Sequence, residues 1–196
     1  MTAAIEQGDQ GHGDLMGADM VEPADFRRAM SRFAAGVTVV TAYDADGNPY
    51  GMTATAFYSV SLDPPLLLIC INRASRTHDY IAASSRFGVR MLSEDSTEIS
   101  VRCAQPGAAK WLPSEWLNEA GAAQTPVLCS AIIHADCTIY ERHEAGTHEV
   151  FIGRVQNLRF GPDTGPLVYY QGSYHQLEQL ARPAQDTQFD RQGDSQ

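Results

Sequence analysis

Two successive prolines, Pro64 and Pro65, close a run of small, hydroxylated and β-branched residues that begins at Gly51. Proline donates no ladder hydrogen bond, so a strand carrying Thr53, Ala54, Thr55, Ser59, Val60 and Ser61 must end there. Turn-forming Asp46-Gly47-Asn48-Pro49 precedes the run, and the β-branched stretch Val37–Tyr43 precedes that turn. Strand, turn, strand and proline stop predict a mostly β chain, with Gly51–Leu62 returning antiparallel to Val37–Tyr43. Such a strand offers backbone N–H groups and short hydroxyls with little bulk over them, against which a flat, polar-edged heterocycle can lie. In an ordinary barrel strand the same residues serve only β-propensity.

Before the first strand, Pro23 opens a predicted helix. Phe26, Ala29, Met30 and Phe33 share one face and Arg27, Arg28 and Arg32 the other, which reads as a packing helix with a solvated basic side. Leu66–Ile71 is continuously apolar and is expected as a strand buried on both sides. The polar loop Asn72–His78 follows, and Thr77 is placed to cap a helix over 78–83. Arg73, Ser75 and Thr77 bring charge and hydroxyl donors together, which suits a phosphate at a helix N-terminus. Phe87–Leu92 predicts a strand and Glu94–Ala104 a helix. Residues 105–124, with Trp111 and Trp116, read as a short helix or a lid. Val127–Arg142 and Val150–Leu158 form a hairpin around Gly146, and strands at 167–170 and 174–177 close the ordered part. Residues 1–22 hold five Asp or Glu and no Lys or Arg, so they read as a disordered acidic tail, with a second disordered tail at 182–196. Residues 23–181 form the expected domain.

Composition narrows the function. The 196 residues carry a formal net charge of −10, which argues against non-specific nucleic-acid binding. Cys70, Cys103, Cys129 and Cys137 show no zinc-ligand spacing, and His134, His143 and Asp136 match no metal pattern. No signal peptide or bilayer-length apolar run is evident, so a reducing, cytoplasmic protein without membrane contact is expected. Rossmann, Walker and nucleophile-elbow motifs are absent. What remains is chemistry supplied by a cofactor.

Four groups of residues carry a resemblance. They are Gly36–Thr41 with Gly51–Ala54 and Ser59–Pro65; Asn72–His78 with Phe87–Val89; Gly146–Val155; and Pro166–Tyr170 with Gly172–Tyr174. In this order and spacing the chain resembles the flavin reductase family, the reductase components of two-component flavin monooxygenases. The resemblance covers about residues 25 to 177 and implies an FMN-binding split barrel, a homodimer with flavin near its interface. It implies NAD(P)H-dependent reduction of FMN or FAD, with reduced flavin diffusing to a separate monooxygenase. Thr53, Ala54, Thr55, Ser59, Val60 and Ser61 are then expected at the flavin ring. Asn72, Arg73, Ser75 and Thr77 are expected at the ribityl chain and phosphate, and His148 beside the nicotinamide. The chain departs from the family at Arg90, where Asn is usual, at Cys103, where Phe is common, and at Thr147, where the family carries Asp. Two further readings on the same barrel are a non-catalytic flavin- or heme-binding carrier or sensor, and a pyridoxine-phosphate-type oxidase, for which no basic pyridoxal-phosphate site is visible.

Overall fold

A computed structural model describes residues 21–105, 110–118 and 124–178. The elements, in order, are α1 (Pro23–Met30), β1 (Ala35–Gly36), β2 (Thr38–Tyr43), β3 (Pro49–Ala54), β4 (Phe57–Ser61), β5 (Leu66–Asn72), α2 (Arg76–Ser84), β6 (Arg86–Leu92) and α3 (Thr97–Ala104). A single 3-10 turn, Ser114–Trp116, then precedes β7 (Ala131–Ala145), β8 (His148–Phe160), β9 (Val168–Tyr170) and β10 (Ser173–His175). The fold is therefore mostly β. Of the expected tails at 1–22 and 182–196, all but residues 21 and 22 lie outside the described residues.

One seven-stranded sheet runs β3-β2-β6-β7-β8-β5-β4, and a small sheet runs β1-β9-β10. All pairs in both sheets are antiparallel. The two edge strands of the large sheet, β3 and β4, are separated in sequence only by Thr55 and Ala56. Three peptide links span at most about 11 Å, so the two edges lie side by side and the sheet must roll up. The expected single strand Gly51–Leu62 is thus two. Ala54 is the last residue opposite β2, facing Thr38, and beyond it the chain changes partner, with Phe57 facing Ile69 of β5.

The rolled sheet encloses Val40, Ala42, Ile69, Ile71, Phe87, Val89 and Phe151, and Ile81 of α2 packs into the same cluster. A side chain at Gly153 would collide with the Phe87 ring, so glycine there makes room for the aromatic. β5 alternates: Leu67, Ile69 and Ile71 are buried, while Leu66, Leu68 and Cys70 are half-buried. The strand buried on both sides is therefore buried fully on its core face only.

A second cluster lies outside β2 and β6, where Val39, Leu92, Ile99, Cys103, Leu112 and Leu128 pack together. Cys103 fills this layer, and burial pushes its thiol up to about 11. Where residues 105–124 are described, the expected short helix is the 3-10 turn Ser114–Trp116, and residues 110–118 and 124–128 run as a strap over this layer. Gly51 N–H donates to Lys110 O at 3.0 Å and Leu112 N–H to Pro49 O at 2.9 Å, along the edge of β3. Trp116 packs against this second cluster under the Arg102 guanidinium, 5.5 Å away, and Trp111 meets Tyr50 edge-on. The strap is anchored by Arg90, the departure noted above. Its buried guanidinium pairs with Asp136 at 2.7 Å and donates to Pro126 O at 2.8 Å and to Ala135 O at 3.3 Å. Thr125 donates its hydroxyl to the same Asp136 carboxylate.

α1 departs from the packing helix expected for it. None of its residues is buried, and Phe26, Met30 and Phe33 are 59%, 54% and 61% exposed. β4 adds Tyr58 and Val60 to this open apolar surface.

Removing one partner of a buried ion pair leaves an uncompensated charge, at a typical cost of about 3–5 kcal/mol, whereas an apolar replacement of both partners is often neutral. Asp136→Ala is therefore expected to destabilise by about that amount in urea unfolding, and the Arg90→Met, Asp136→Leu double variant to recover most of it. A single-variant loss below about 1 kcal/mol would show that the strap does not depend on this pair.

Candidate functional site

The register of β5 against β8 sets Asn72 directly opposite His148. Cys70 N–H donates to Ala56 O at 3.3 Å, which brings the β3–β4 link to the same end of β5. Three segments far apart in sequence therefore meet: Thr55 and Ala56, the loop after Asn72, and the start of β8. Beside Thr55 a mostly apolar groove of about 330 Å³ opens between β4 and the start of β2, with the Phe33 and Tyr58 rings 6.5 Å apart on its wall.

On the link side, the Thr53 hydroxyl is engaged with α3, donating to Ser100 O at 2.7 Å. Ala54 is buried, and its carbonyl accepts from the Thr38 hydroxyl at 2.7 Å. Thr55 and Ser59 are exposed. Val60 is exposed and unpaired, in a register shift between Ser59 and half-buried Ser61. Thr55 is thus brought to the end of β5 that meets the loop, while Ser59, Val60 and Ser61 extend away from it along β4.

The loop is built on an Asx turn, in which Ala74 N–H donates to Asn72 Oδ1 at 2.9 Å. Ser75, not Thr77, caps α2, accepting from His78 N–H at 3.2 Å. Thr77 lies two residues inside the helix and is buried. Thr77 was expected to cap a helix over 78–83, but the Asx turn at Asn72 lets the helix begin at Arg76. The N–H groups of Arg76 and Thr77 lack intrahelical partners at a helix start, and the helix dipole there favours an anion. Arg73 reaches the hairpin tip instead of standing open. Its guanidinium pairs with Glu144 at 2.7 Å and donates to Gly146 O at 3.0 Å, while its backbone N–H donates to Thr147 O at 3.0 Å.

Gly146, at φ +59°, occupies the first central position of the two-residue turn that joins β7 to β8. His148 is exposed, and its Nδ1 lies 2.9 Å from the Thr147 hydroxyl. Thr147 thus supplies a hydrogen-bonding partner where the family carries Asp.

Three residues of the site escaped the sequence reading. Glu149 is buried next to His148, and its carboxylate accepts from Arg142 at 2.6 and 2.8 Å and from His78 Nε2 at 2.6 Å. Glu149 alternates with Phe151 and Gly153 on the inward face of β8, and a carboxylate in that register is a signal of a paired, buried charge. Arg142 hydrogen bonding holds Glu149 at about 2, assisted by His78 and opposed by burial. On the outer layer, His134 is also buried. Burial, then Arg90 and Arg159, push it down to about 4.

Among the described residues no helix is long and apolar enough to cross a membrane, and no group of three His, Cys, Asp or Glu is placed to hold a metal ion.

Comparison with known proteins follows this geometry. The flavin reductase like domain matches residues 30–178. An NADH-dependent flavin reductase from Rhodococcus sp is 38% identical over 164 residues, covering 83% of this chain and 90% of that one. The reductase subunit of a flavin-dependent monooxygenase from Rhodococcus jostii is 32% identical over 161 residues, covering 82% and 81%. The solved structure of the flavin reductase PheA2 superposes with a TM-score of 0.71 at 35% identity, covering 81% of this chain and 99% of that one.

Acid stability follows from the shifted groups. Glu149 is depressed from 4.5, so its contribution is complete above that value and is lost as pH falls toward 2. His134 is depressed from 6.5 to about 4; the unfolded chain takes up its proton first, so stability also falls across that window. The urea midpoint is expected to drop in both windows, and Glu149→Gln to remove the lower one. An unchanged acid profile in Glu149→Gln would mean that the ion pairs of Glu149 contribute nothing to folding.

Proposed function

The chain belongs to the flavin reductase-like domain family, and on that premise we propose that it is an NAD(P)H-dependent flavin reductase supplying reduced flavin to a separate monooxygenase. The observation that carries this reading is the convergence of Thr55, the α2 N-terminus and His148 at one end of β5. The relatives favour a reductase over a non-catalytic carrier, and the Rhodococcus sp relative is NADH-dependent.

The donor set suits a phosphorylated flavin, FMN or FAD. Exposed hydroxyls of Thr55 in the β3–β4 link and of Ser59 on β4 match the polar rim of the ring system, and the apolar groove beside Thr55 matches its hydrocarbon end. Thr53 contributes through its backbone, because its hydroxyl is engaged with Ser100. Ser61 and Val60 shape the strand edge, and Asn72 fixes the loop. The first turn of α2, with Arg76, offers N–H donors and cationic charge to the phosphate, and Arg73 joins them by exchanging its exposed pair with Glu144 for the phosphate. His148 orients the nicotinamide against the flavin from the opposite strand. When bound, the flavin supplies the redox chemistry, accepting a hydride from the nucleotide.

Phe26, Met30, Phe33, Tyr58 and Val60 present an apolar surface of the kind that a second copy covers, and the working unit is a homodimer. The protein acts in the cytoplasm on diffusing flavin, and residues 23–181 form its folded unit.

The full chain is expected to oxidise NADH or NADPH only when FMN, FAD or riboflavin is added. Absence of flavin-dependent turnover with both nucleotides would overturn the reading. Losing a charge-assisted contact to phosphate typically costs about 1.5–3 kcal/mol, roughly ten- to a hundred-fold in affinity. Arg73→Ala is therefore expected to weaken FMN by about that factor and to leave riboflavin nearly unchanged. Equal weakening of both would remove the loop from the phosphate.

A further inference from the structure

Glu149 sits where three segments meet. Its Oε1 accepts from Arg142 Nε at 2.6 Å, and its Oε2 accepts from Arg142 Nη2 at 2.8 Å and from His78 Nε2 at 2.6 Å. Arg142 belongs to β7, and His78 belongs to the first turn of α2, where Ser75 caps its backbone N–H. The two partners pack on one aromatic: the His78 ring centroid is 5.6 Å from that of Phe151, and the Arg142 guanidinium lies 5.2 Å from the same ring. Asp79 is the other charged group facing His78, 3.3 Å from Nδ1.

For stability alone, well-packed apolar residues would serve this position as well as an ion cluster. What the cluster adds is direction. A planar guanidinium fork on a carboxylate fixes the orientation of both, and a third donor on the same carboxylate fixes a third segment to them. Glu149 is also adjacent to His148, and alternation along β8 turns one inward and the other outward. The carboxylate that locks the first turn of α2 is therefore one residue away from the imidazole.

We propose that Glu149 is a positioning residue that holds the α2 N-terminus and His148 in one fixed relation, coupling the flavin phosphate contact to nicotinamide placement. This rests on the roles given above to α2 and His148. It assigns to Glu149 no contact with substrate. Loosening Glu149 frees two parts of the site together, which an isolated packing defect would not do.

The test is a double-variant cycle on the full chain, with stopped-flow flavin reduction by NADH at saturating flavin and with Kd values for FMN and riboflavin. Misplacing a reacting group slightly can cost up to about a hundred-fold in rate. Glu149→Gln keeps the volume and removes the charge, and it is expected to slow reduction by about ten-fold. It is expected to weaken FMN several-fold while riboflavin stays within about two-fold. Residues that act through one another are non-additive, so Glu149→Gln, His148→Ala should be no slower than His148→Ala alone. Multiplicative losses, or wild-type reduction in Glu149→Gln, would overturn the proposal. Wild-type reduction in His148→Ala would overturn the underlying role of His148, and with it the nicotinamide half of the coupling, whatever Glu149→Gln does. If Glu149→Gln does not fold, Arg142→Gln takes its place in the cycle. Arg142 is 41% exposed and its loss leaves the His78 pair intact, and the same non-additivity with His148→Ala is expected.

Discussion

Everything in this fold hangs on the covalent link Thr55-Ala56, which joins the two outermost strands of the large sheet. Hydrogen bonding alone would leave β3 and β4 as distant edges of a seven-stranded ribbon. Continuity of the chain brings them together, and the sheet has to curl to allow it. The curl gathers the aliphatic core inside. It also leaves the edge of β4 without a strand partner beside the end of β5. An edge of unpaired N–H and C=O groups is a template for another chain or a ligand with a polar rim. The same constraint thus closes the core and opens the site.

Two buried ion clusters support that frame in different ways. Arg90 and Asp136 lie in the outer layer and fasten the strap at Thr125 and Pro126 to the sheet. Burial pulls the guanidinium down, and hydrogen bonding to Asp136 opposes this. Glu149 lies at the other end, between α2 and the β7–β8 hairpin, next to His148. In a chain with a net charge of −10, both clusters use arginine. Its fork satisfies several acceptors at once and remains charged on burial.

Much of this could be read from residue order. The turn at Asp46–Pro49, the proline stop and the Gly146 hairpin fixed strand identity, because proline and glycine act through local backbone geometry. The two positive-φ residues Gln171 and Gly172 close β9 onto β10 in the same local way. What stayed hidden depended on partners. Gly51–Leu62 is continuous in composition, and only pairing shows that it changes neighbours at Thr55. The first turn of α2 was legible, but its cap was not, since Ser75 wins through a turn set by Asn72. Phe26 and Met30 share one face of the predicted helix and Phe33 lies just past its end, yet among the described residues nothing buries that face. Glu149 went unnoticed because its meaning lies in Arg142 and His78, and His78 is far from it in sequence.

In the proposed reading, one flavin site is assembled from the β3–β4 link, the α2 N-terminus and His148. A crystal structure of the full chain with FMN tests it most directly. The flavin ring is expected against Thr55 and the β4 edge, the phosphate on the first turn of α2 within reach of Arg73, and His148 facing the open side of the ring. A flavin bound elsewhere, with its phosphate away from residues 72–77, would contradict it.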